Sequence, residues 1–173
     1  VSYDTQGGST VVNGSVKAGA NILVNPGTPT KSGFTFAGWF TASTGGSALT
    51  FPYTHNQTAN FTLYGQWNVN TYTVTYKSSP SGTGADITQS FTYPGSITLK
   101  TRAEVSSLIT RSGYYITGWT TTSTAGGSRT DILGSTYSSA NNRTLYPVWA
   151  GVPVFTSIEK TKELSKLFVV FDT

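Results

Sequence analysis

The chain contains no cysteine and no methionine, and only 10% of its 173 residues are charged. Without cysteine there is no disulfide, no thiolate metal site and no catalytic thiol, so redox conditions should not affect the fold. The single histidine, His55, excludes a histidine-rich metal site. Its segment at 51–56 has no carboxylate nearby in sequence and predicts a loop, so we expect an exposed loop histidine. The acidic residues show no calcium-loop spacing. We therefore expect no catalytic residues, no metal and no cofactor.

Long apolar runs are also missing, since nothing approaches the ~18 residues needed to cross a bilayer. The formal net charge is +4, but the 11 basic residues are scattered, so we expect neither membrane insertion nor a nucleic-acid partner. Abundant Ser, Thr, Gly and Tyr with little charge is typical of extracellular β-proteins. Because Val1 already lies in a strand pattern without a leader, we expect an excised piece of a longer protein.

Two aromatic motifs each occur twice in the chain. They are GFTFAGW at 33–39 with GYYITGW at 113–119, and LYGQW at 63–67 with LYPVW at 145–149. The opening strand Val1–Thr5 also corresponds to Val74–Ser78, and a Gly-rich turn follows each. Repetition of a whole folding unit predicts tandem modules. We divide the chain into a first repeat (1–69), a second repeat (70–150) and a connector with a strand (151–173), which is a candidate start of another unit.

Alternating apolar residues separated by Asn-Gly and Pro-Gly turns predict mostly strands in both repeats. One segment differs, because Thr101 and Glu104 fit a capping box before an apolar stripe at helical spacing. That stripe consists of Val105, Leu108 and Ile109. We predict a helix from 102 to 111 in the second repeat, packed through this stripe. Pro26 and Pro29 predict at most one helical turn at the matching place in the first repeat.

The aromatic residues fall into two groups. The four tryptophans occupy equivalent motif positions beside glycine and apolar residues, which predicts core anchors and not a sugar-stacking platform. They are Trp39, Trp67, Trp119 and Trp149. Four tyrosines lie among polar neighbours and are the better candidates for exposed ligand contacts, although surface tyrosines on strands are common without a function. They are Tyr53, Tyr72, Tyr93 and Tyr137.

The tail changes in composition, since six of the 18 charged side chains lie in its last 15 residues. Its segment Leu167–Phe171 reads as a strand that resembles the opening strand at Val1. A lone strand leaves its amides unpaired, so we predict that it adds to a sheet edge. Self-association of the chain through Val169, Val170 and Phe171 is one form of that pairing.

With these motifs on the page, the repeats resemble the Listeria-Bacteroides repeat, also described as the internalin B-repeat-like module. The first repeat carries the opening VxYDTxGG pattern at 1–8, the GFxFAGWF pattern at 33–40 and the closing LYxxW pattern. The second keeps the last two and departs from the first at Lys77–Ser79. The resemblance implies tandem β-grasp (ubiquitin-like) modules of a mainly β, α+β class, with at most one short helix each.

The resemblance also implies a role. We expect non-enzymatic repeat modules of a bacterial cell-surface or secreted protein, which act as a spacer or presentation stalk and contribute to adhesion. The partners are then the flanking domains of the same protein and a protein or glycan ligand. The alternative is a binding module for a host protein or glycan through exposed aromatic residues. An enzyme would need a polar cleft with perturbed acids, and the sequence does not suggest one.

Overall fold

The computed structural model describes residues 1–19, 21–124 and 127–154. Within these ranges the chain forms eleven strands and one helix of four residues. The mainly β prediction is confirmed, whereas the β-grasp topology stays a prediction. The strand predicted at 167–171, and with it the edge pairing of Val169, Val170 and Phe171, lies outside the described residues.

The first repeat contains two small sheets. Its strands are β1 (Ser2–Asp4), β2 (Asn21–Leu23), β3 (Phe34–Phe40), β4 (Tyr53–His55) and β5 (Thr62–Val69). One sheet has the order β1-β5-β3, in which β5 runs parallel to β1 and antiparallel to β3. The other is the antiparallel pair β2-β4. No helix forms between β2 and β3, as the two prolines predict.

The second repeat contains the remaining strands and the helix. They are β6 (Thr71–Tyr76), β7 (Ile87–Thr92), β8 (Ile97–Thr98), α1 (Arg102–Val105), β9 (Tyr114–Thr120), β10 (Thr136–Tyr137) and β11 (Arg143–Gly151). A four-stranded sheet has the order β7-β6-β11-β9, and β8 pairs with β10 antiparallel. The aromatic motif strand and the closing strand pair antiparallel here too.

The two motif pairs have equivalent registers. Phe36 lies opposite Trp67 and Trp39 opposite Gly65 in the first repeat. Ile116 lies opposite Trp149 and Trp119 opposite Pro147 in the second. Each pair contains one irregularity between these two positions. The bulge turns the strand so that both motif tryptophans face the interior.

The predicted helix is shorter than expected, since α1 ends at Val105 and not near 111. Thr110 forms a two-way backbone bridge with Thr83, and a residue in a β-bridge cannot continue a helix. The two serines that follow Val105 are also weak helix formers. Val105 and Ile109 are buried as predicted, but the prediction for Leu108 is wrong because its side chain is exposed.

The repeated motifs supply part of the buried core in each repeat. In the first repeat Leu23, Trp39 and Leu63 form a buried cluster, against which partly buried residues of the opening strand pack. In the second repeat the buried apolar residues are Val74, Tyr76, Phe91, Leu99, Val105, Ile109, Ile116, Trp119, Tyr137 and Leu145. Leu63 and Leu145, which begin the two closing motifs, are fully buried.

By spatial contacts the chain divides into two compact units. The first contains Val1–Val74, Thr88–Thr98 and Thr136–Arg143. The second contains Thr75–Ile87, Leu99–Ser135 and, of the described residues beyond them, Thr144–Val154. The sequence boundaries at 69 and 150 stay predictions.

Candidate functional site

The motif tryptophans Trp39 and Trp119 are structural anchors. Both are buried, and each indole N–H donates to a backbone carbonyl, that of Gly27 at 3.1 Å and that of Lys100 at 3.2 Å. A buried indole needs such an acceptor, because its N–H loses water on folding. These two tryptophans are therefore satisfied inside their repeats and present no face for a ligand.

A tyrosine of the opening strand packs against the second of these anchors. Tyr76 accepts a hydrogen bond from the Lys100 amide at 3.1 Å, so Lys100 connects the tyrosine and Trp119 through its two backbone groups. Burial raises the pKa of Tyr76 above its usual value of 10.0. The phenol is therefore neutral at physiological pH, and its role is packing.

The closing-motif tryptophans are half-buried, so the prediction of a core position is only partly correct for them. Trp67 donates its indole N–H to the Thr5 carbonyl at 2.8 Å. Trp149 has a buried indole N–H with no partner among the described residues. The turns beside the two tryptophans also differ, since Gly82 N–H bonds to Ser78 four residues back, whereas Gly8 N–H bonds to Thr5 three residues back.

The predicted exposure of Tyr137 is wrong, because its side chain is 5% exposed. Its hydroxyl donates to Asn141, and its ring lies edge-on to Phe91. The isolated Thr-Tyr pattern in a Ser-rich segment gave no sign that β10 faces inward. A strand of two residues has too few positions to show alternation.

The other three candidate tyrosines are half-buried. Tyr53 packs against the core cluster of the first repeat. The ring centroids of Tyr72 and Phe91 lie 6.0 Å apart, so Tyr72 contacts the same ring as Tyr137. Tyr93 lies edge-on to Phe34, 5.6 Å away, within the first compact unit. Tyr53 and Tyr93 thus pack elsewhere than the Tyr72–Phe91–Tyr137 group, and the role of the tyrosines as ligand contacts stays a prediction.

His55 also differs from its prediction as an exposed loop residue, since it lies in β4 with 2% exposure. Its Nδ1 accepts from the Gln57 amide at 3.2 Å, and its ring lies 4.9 Å from Phe61. It lines a cleft of about 140 Å³ that also includes Lys17 and Asn60. The imidazole thus fills a core position near the surface.

A second cleft of about 220 Å³ opens beside α1 in the second repeat. It is lined by Arg102, Ser106, Ile109, Thr110, Arg111, Tyr114, Tyr115, Ile116 and Trp149. No lining residue carries a carboxylate, and two carry a guanidinium. The described residues of this cleft therefore combine positive charge with aromatic surface.

Both arginines of the cleft lie over tyrosine rings. The Arg111 guanidinium carbon is 3.7 Å from the centroid of Tyr114, and that of Arg102 is 4.7 Å from Tyr115. The Nε–H of Arg102 also donates to the Ile116 carbonyl at 3.0 Å, which fixes the plane of the guanidinium group. Such cation–π contacts are favourable by about 0.5–1 kcal/mol at exposed sites and orient both groups.

The first repeat has a lysine at the equivalent place. Lys31, which matches Arg111 by position in the motif, lies 4.6 Å from the Phe34 centroid and 5.7 Å from that of Trp67. Its Nζ donates to the Gln6 carbonyl at 2.8 Å. That ammonium is thus used within the repeat, whereas the arginines of the second repeat line open space.

The sequence reasoning missed this cleft. The signal was the run Arg111-Ser112-Gly113-Tyr114-Tyr115, in which the second repeat has arginine and tyrosine where the first has Lys31 and Thr35. Tyr114 and Tyr115 lie in the repeated motif at 113–119, and Arg111 lies two residues before it. Only the three-dimensional position of α1 reveals that they also border a cavity.

Residues 1–19, 21–124 and 127–154 contain no group of three His, Cys, Asp or Glu side chains arranged to hold a metal ion. Across the same ranges no helix has the length and apolar character needed to cross a membrane.

Comparison with known proteins agrees with the repeat structure. The family model of the Listeria-Bacteroides repeat domain matches residues 1–66 and 72–148. Internalin H of Listeria monocytogenes serovar 1/2a is 36% identical over 145 residues, which is 83% of this chain and 24% of that protein. A putative membrane protein of Evansella cellulosilytica is 32% identical over 152 residues, 87% of this chain and 22% of that protein. The chain thus spans about a quarter of these relatives. No solved structure matches it significantly.

Proposed function

Because the chain belongs to the Listeria-Bacteroides repeat family, we propose that it is a non-enzymatic pair of repeat modules in an extracellular bacterial protein, either cell-surface or secreted. Its role is to space and present the domains on either side, and thereby to contribute to adhesion. Its principal partners are those flanking domains.

The observation that carries this proposal is that the repeated residues serve to pack the core. The motif tryptophans Trp39 and Trp119 are buried and hydrogen-bonded, and the closing leucines Leu63 and Leu145 are fully buried. Repetition of a motif therefore repeats a core and not a set of chemically reactive groups. A module whose repeated residues serve packing is suited to a structural role, because its surface can vary while its fold persists.

The only histidine supports the non-enzymatic part of the proposal. His55 contacts Gln57 and Phe61, and no carboxylate is among its hydrogen-bond partners in the described chain. A general base of a triad needs an acid to orient it and a nucleophile within hydrogen-bond distance. The surroundings of His55 provide packing in place of both.

A length-matched exchange tests the spacer role. The full 173-residue chain is placed between a cell-wall anchor and a distal epitope tag on intact bacteria, and antibody binding to the tag is measured. Two controls are an unrelated two-domain β-sandwich spacer of similar length and the double variant Trp39→Ala, Trp119→Ala. A spacer predicts equal tag exposure with this chain and with the unrelated spacer, and reduced exposure with the double variant. Failure of the unrelated spacer to replace this chain would contradict a purely structural role.

A further inference from the structure

The cleft beside α1 in the second repeat contains several side-chain hydrogen-bonding groups that have no partner among the described residues. Neither terminal nitrogen of Arg102, nor any nitrogen of Arg111, has a hydrogen-bond partner among the described residues. The hydroxyl groups of Tyr114 and Tyr115 are likewise without a partner in the described ranges. Four side chains thus bring unused polar groups to one cleft.

The charge of the cleft is not neutralised locally. In the described residues two ion pairs occur, Lys77 with Asp86 and Lys100 with Glu104, so those carboxylates are already paired with lysines. Neither Arg102 nor Arg111 takes part in an ion pair there. An unpaired guanidinium offers a planar fork that matches a carboxylate with two parallel hydrogen bonds.

The aromatic surface indicates the rest of the ligand. Tyr114 is 42% exposed, and Tyr115 and Trp149 are half-buried in the same cleft. Flat aromatic faces beside polar donors suit a small ring that has an apolar face and polar edges. A volume of about 220 Å³ is below the usual range of roughly 300–1,000 Å³ for drug-sized ligands, so it fits one such ring.

From these three features we propose that the cleft between α1 and β9 binds a carboxylated sugar ring of the uronic acid type. The guanidinium groups of Arg111 and Arg102, each over one face of a tyrosine ring, receive the carboxylate. The tyrosine hydroxyl groups and the Trp149 ring contact the sugar. The site is absent from the first repeat, because Lys31 bonds to the Gln6 carbonyl there and Thr35 replaces the second tyrosine. This inference goes beyond the spacer role and does not depend on it.

Two closely matched sugars test the proposal. Methyl β-glucuronide and methyl β-glucoside differ only at C6, which is a carboxylate in the first and a hydroxymethyl group in the second. Each is titrated into the ¹⁵N-labelled full chain while amide and indole resonances are followed by NMR. We expect the glucuronide to bind with a dissociation constant on the order of 1 mM, as is usual for a single ring. The shifts should be confined to residues 102–116 and Trp149. The glucoside should bind at least about tenfold more weakly, since one charge-assisted bidentate contact corresponds to at least that factor.

Matched variants assign the binding to the cleft. Arg111→Gln should weaken glucuronide binding by about tenfold or more, whereas Lys31→Gln, at the same motif position in the first repeat, should leave it unchanged. Thermal melting of each variant shows whether the fold persists, and the comparison of the two sugars needs no variant at all. Equal binding of both sugars, shifts outside the cleft, or equal shifts with inorganic phosphate would overturn the proposal, as would the absence of any shift with the glucuronide.

Discussion

Tyr76 packs against Trp119 with the two ring centroids 4.8 Å apart and the planes inclined by 60°. Tyr3 packs against Trp39 at 4.9 Å with the same inclination. The two pairs come from different copies of the opening strand and the aromatic motif, so one packing arrangement is built twice. The helix of the second repeat is inserted without disturbing it, because Trp119 still finds a carbonyl acceptor at Lys100.

Replacing either anchor should destabilise its own repeat. Trp39→Ala and Trp119→Ala should each lower the free energy of unfolding by about 3–5 kcal/mol, because a large buried ring leaves a cavity. Val12→Ala is the control, since Val12 is 86% exposed and such changes usually stay within about 0.5 kcal/mol. Urea unfolding followed by circular dichroism gives these values. A loss below about 1 kcal/mol for either tryptophan would contradict its role as an anchor.

Two glycines at equivalent turns should respond differently to alanine. Gly33 and Gly113 both have positive φ, +81° and +75°, so either substitution costs about 1–2 kcal/mol in backbone strain. At Gly33 a Cβ would also lie 2.2 Å from the Tyr93 ring, whereas at Gly113 nothing lies within 4 Å. Gly33→Ala should therefore cost a further ~1–3 kcal/mol by overpacking. Equal losses in urea unfolding would show that Tyr93 does not pack against Gly33.

The two closing-motif tryptophans should differ when replaced by phenylalanine. Their indole rings contact equivalent glycines, Gly8 and Gly82. The Trp67 indole N–H donates to the Thr5 carbonyl, whereas the Trp149 indole N–H has no partner among the described residues. Trp67→Phe removes a hydrogen bond, whereas Trp149→Phe removes a buried N–H without a described partner. We expect Trp67→Phe to cost about 1 kcal/mol more. Equal losses for the two variants in urea unfolding, or a larger loss for Trp149→Phe, would contradict the assigned hydrogen bonds.

The capping residue of α1 should make the second repeat sensitive to acid. The amide and hydroxyl of Thr101, with the Lys100 ammonium, lower the pKa of Glu104 from its usual 4.5 to about 2. As the pH falls, Glu104 is therefore protonated in the unfolded chain before it is protonated in the folded chain. The stability that the ionised carboxylate contributes is complete above about pH 4.5 and is lost as the pH falls towards 2.

A variant isolates this effect. Glu104→Gln should flatten the pH dependence of the urea midpoint between pH 4.5 and 2, while the wild type weakens across that interval. Asp86 provides a comparison, because its exposed carboxylate also has a lowered pKa through Lys77 but lies outside the helix. If Glu104→Gln has the same acid dependence as the wild type, the cap does not form as described.

The motif positions were predictable because repetition marks the positions that build the core. Trp39 and Trp119 were expected to be buried on that ground, and they are, whereas Trp67 and Trp149, predicted in the same way, are half-buried. The two prolines before β3 likewise predicted the absence of a helix there. In the confirmed cases a local rule and the tertiary structure agree.

The failures share a physical cause, which is that the deciding partner is distant in sequence. The helix ends early because Thr110 pairs with Thr83, 27 residues away. His55 is buried because β4 pairs with β2, more than 30 residues upstream. No window around either residue contains that information. The cleft was missed for the same reason, since Trp149 joins it from the closing strand.

The most direct test of this account is a search for nuclear Overhauser contacts between aromatic side chains in the full chain. Two sets should be present, from the Tyr3 ring to the Trp39 indole and from the Tyr76 ring to the Trp119 indole. Both are expected because the ring centroids lie 4.9 Å and 4.8 Å apart. Observation of both sets would support a single packing arrangement used twice. Presence of one set without the other, in a chain whose two repeats are both folded, would contradict it.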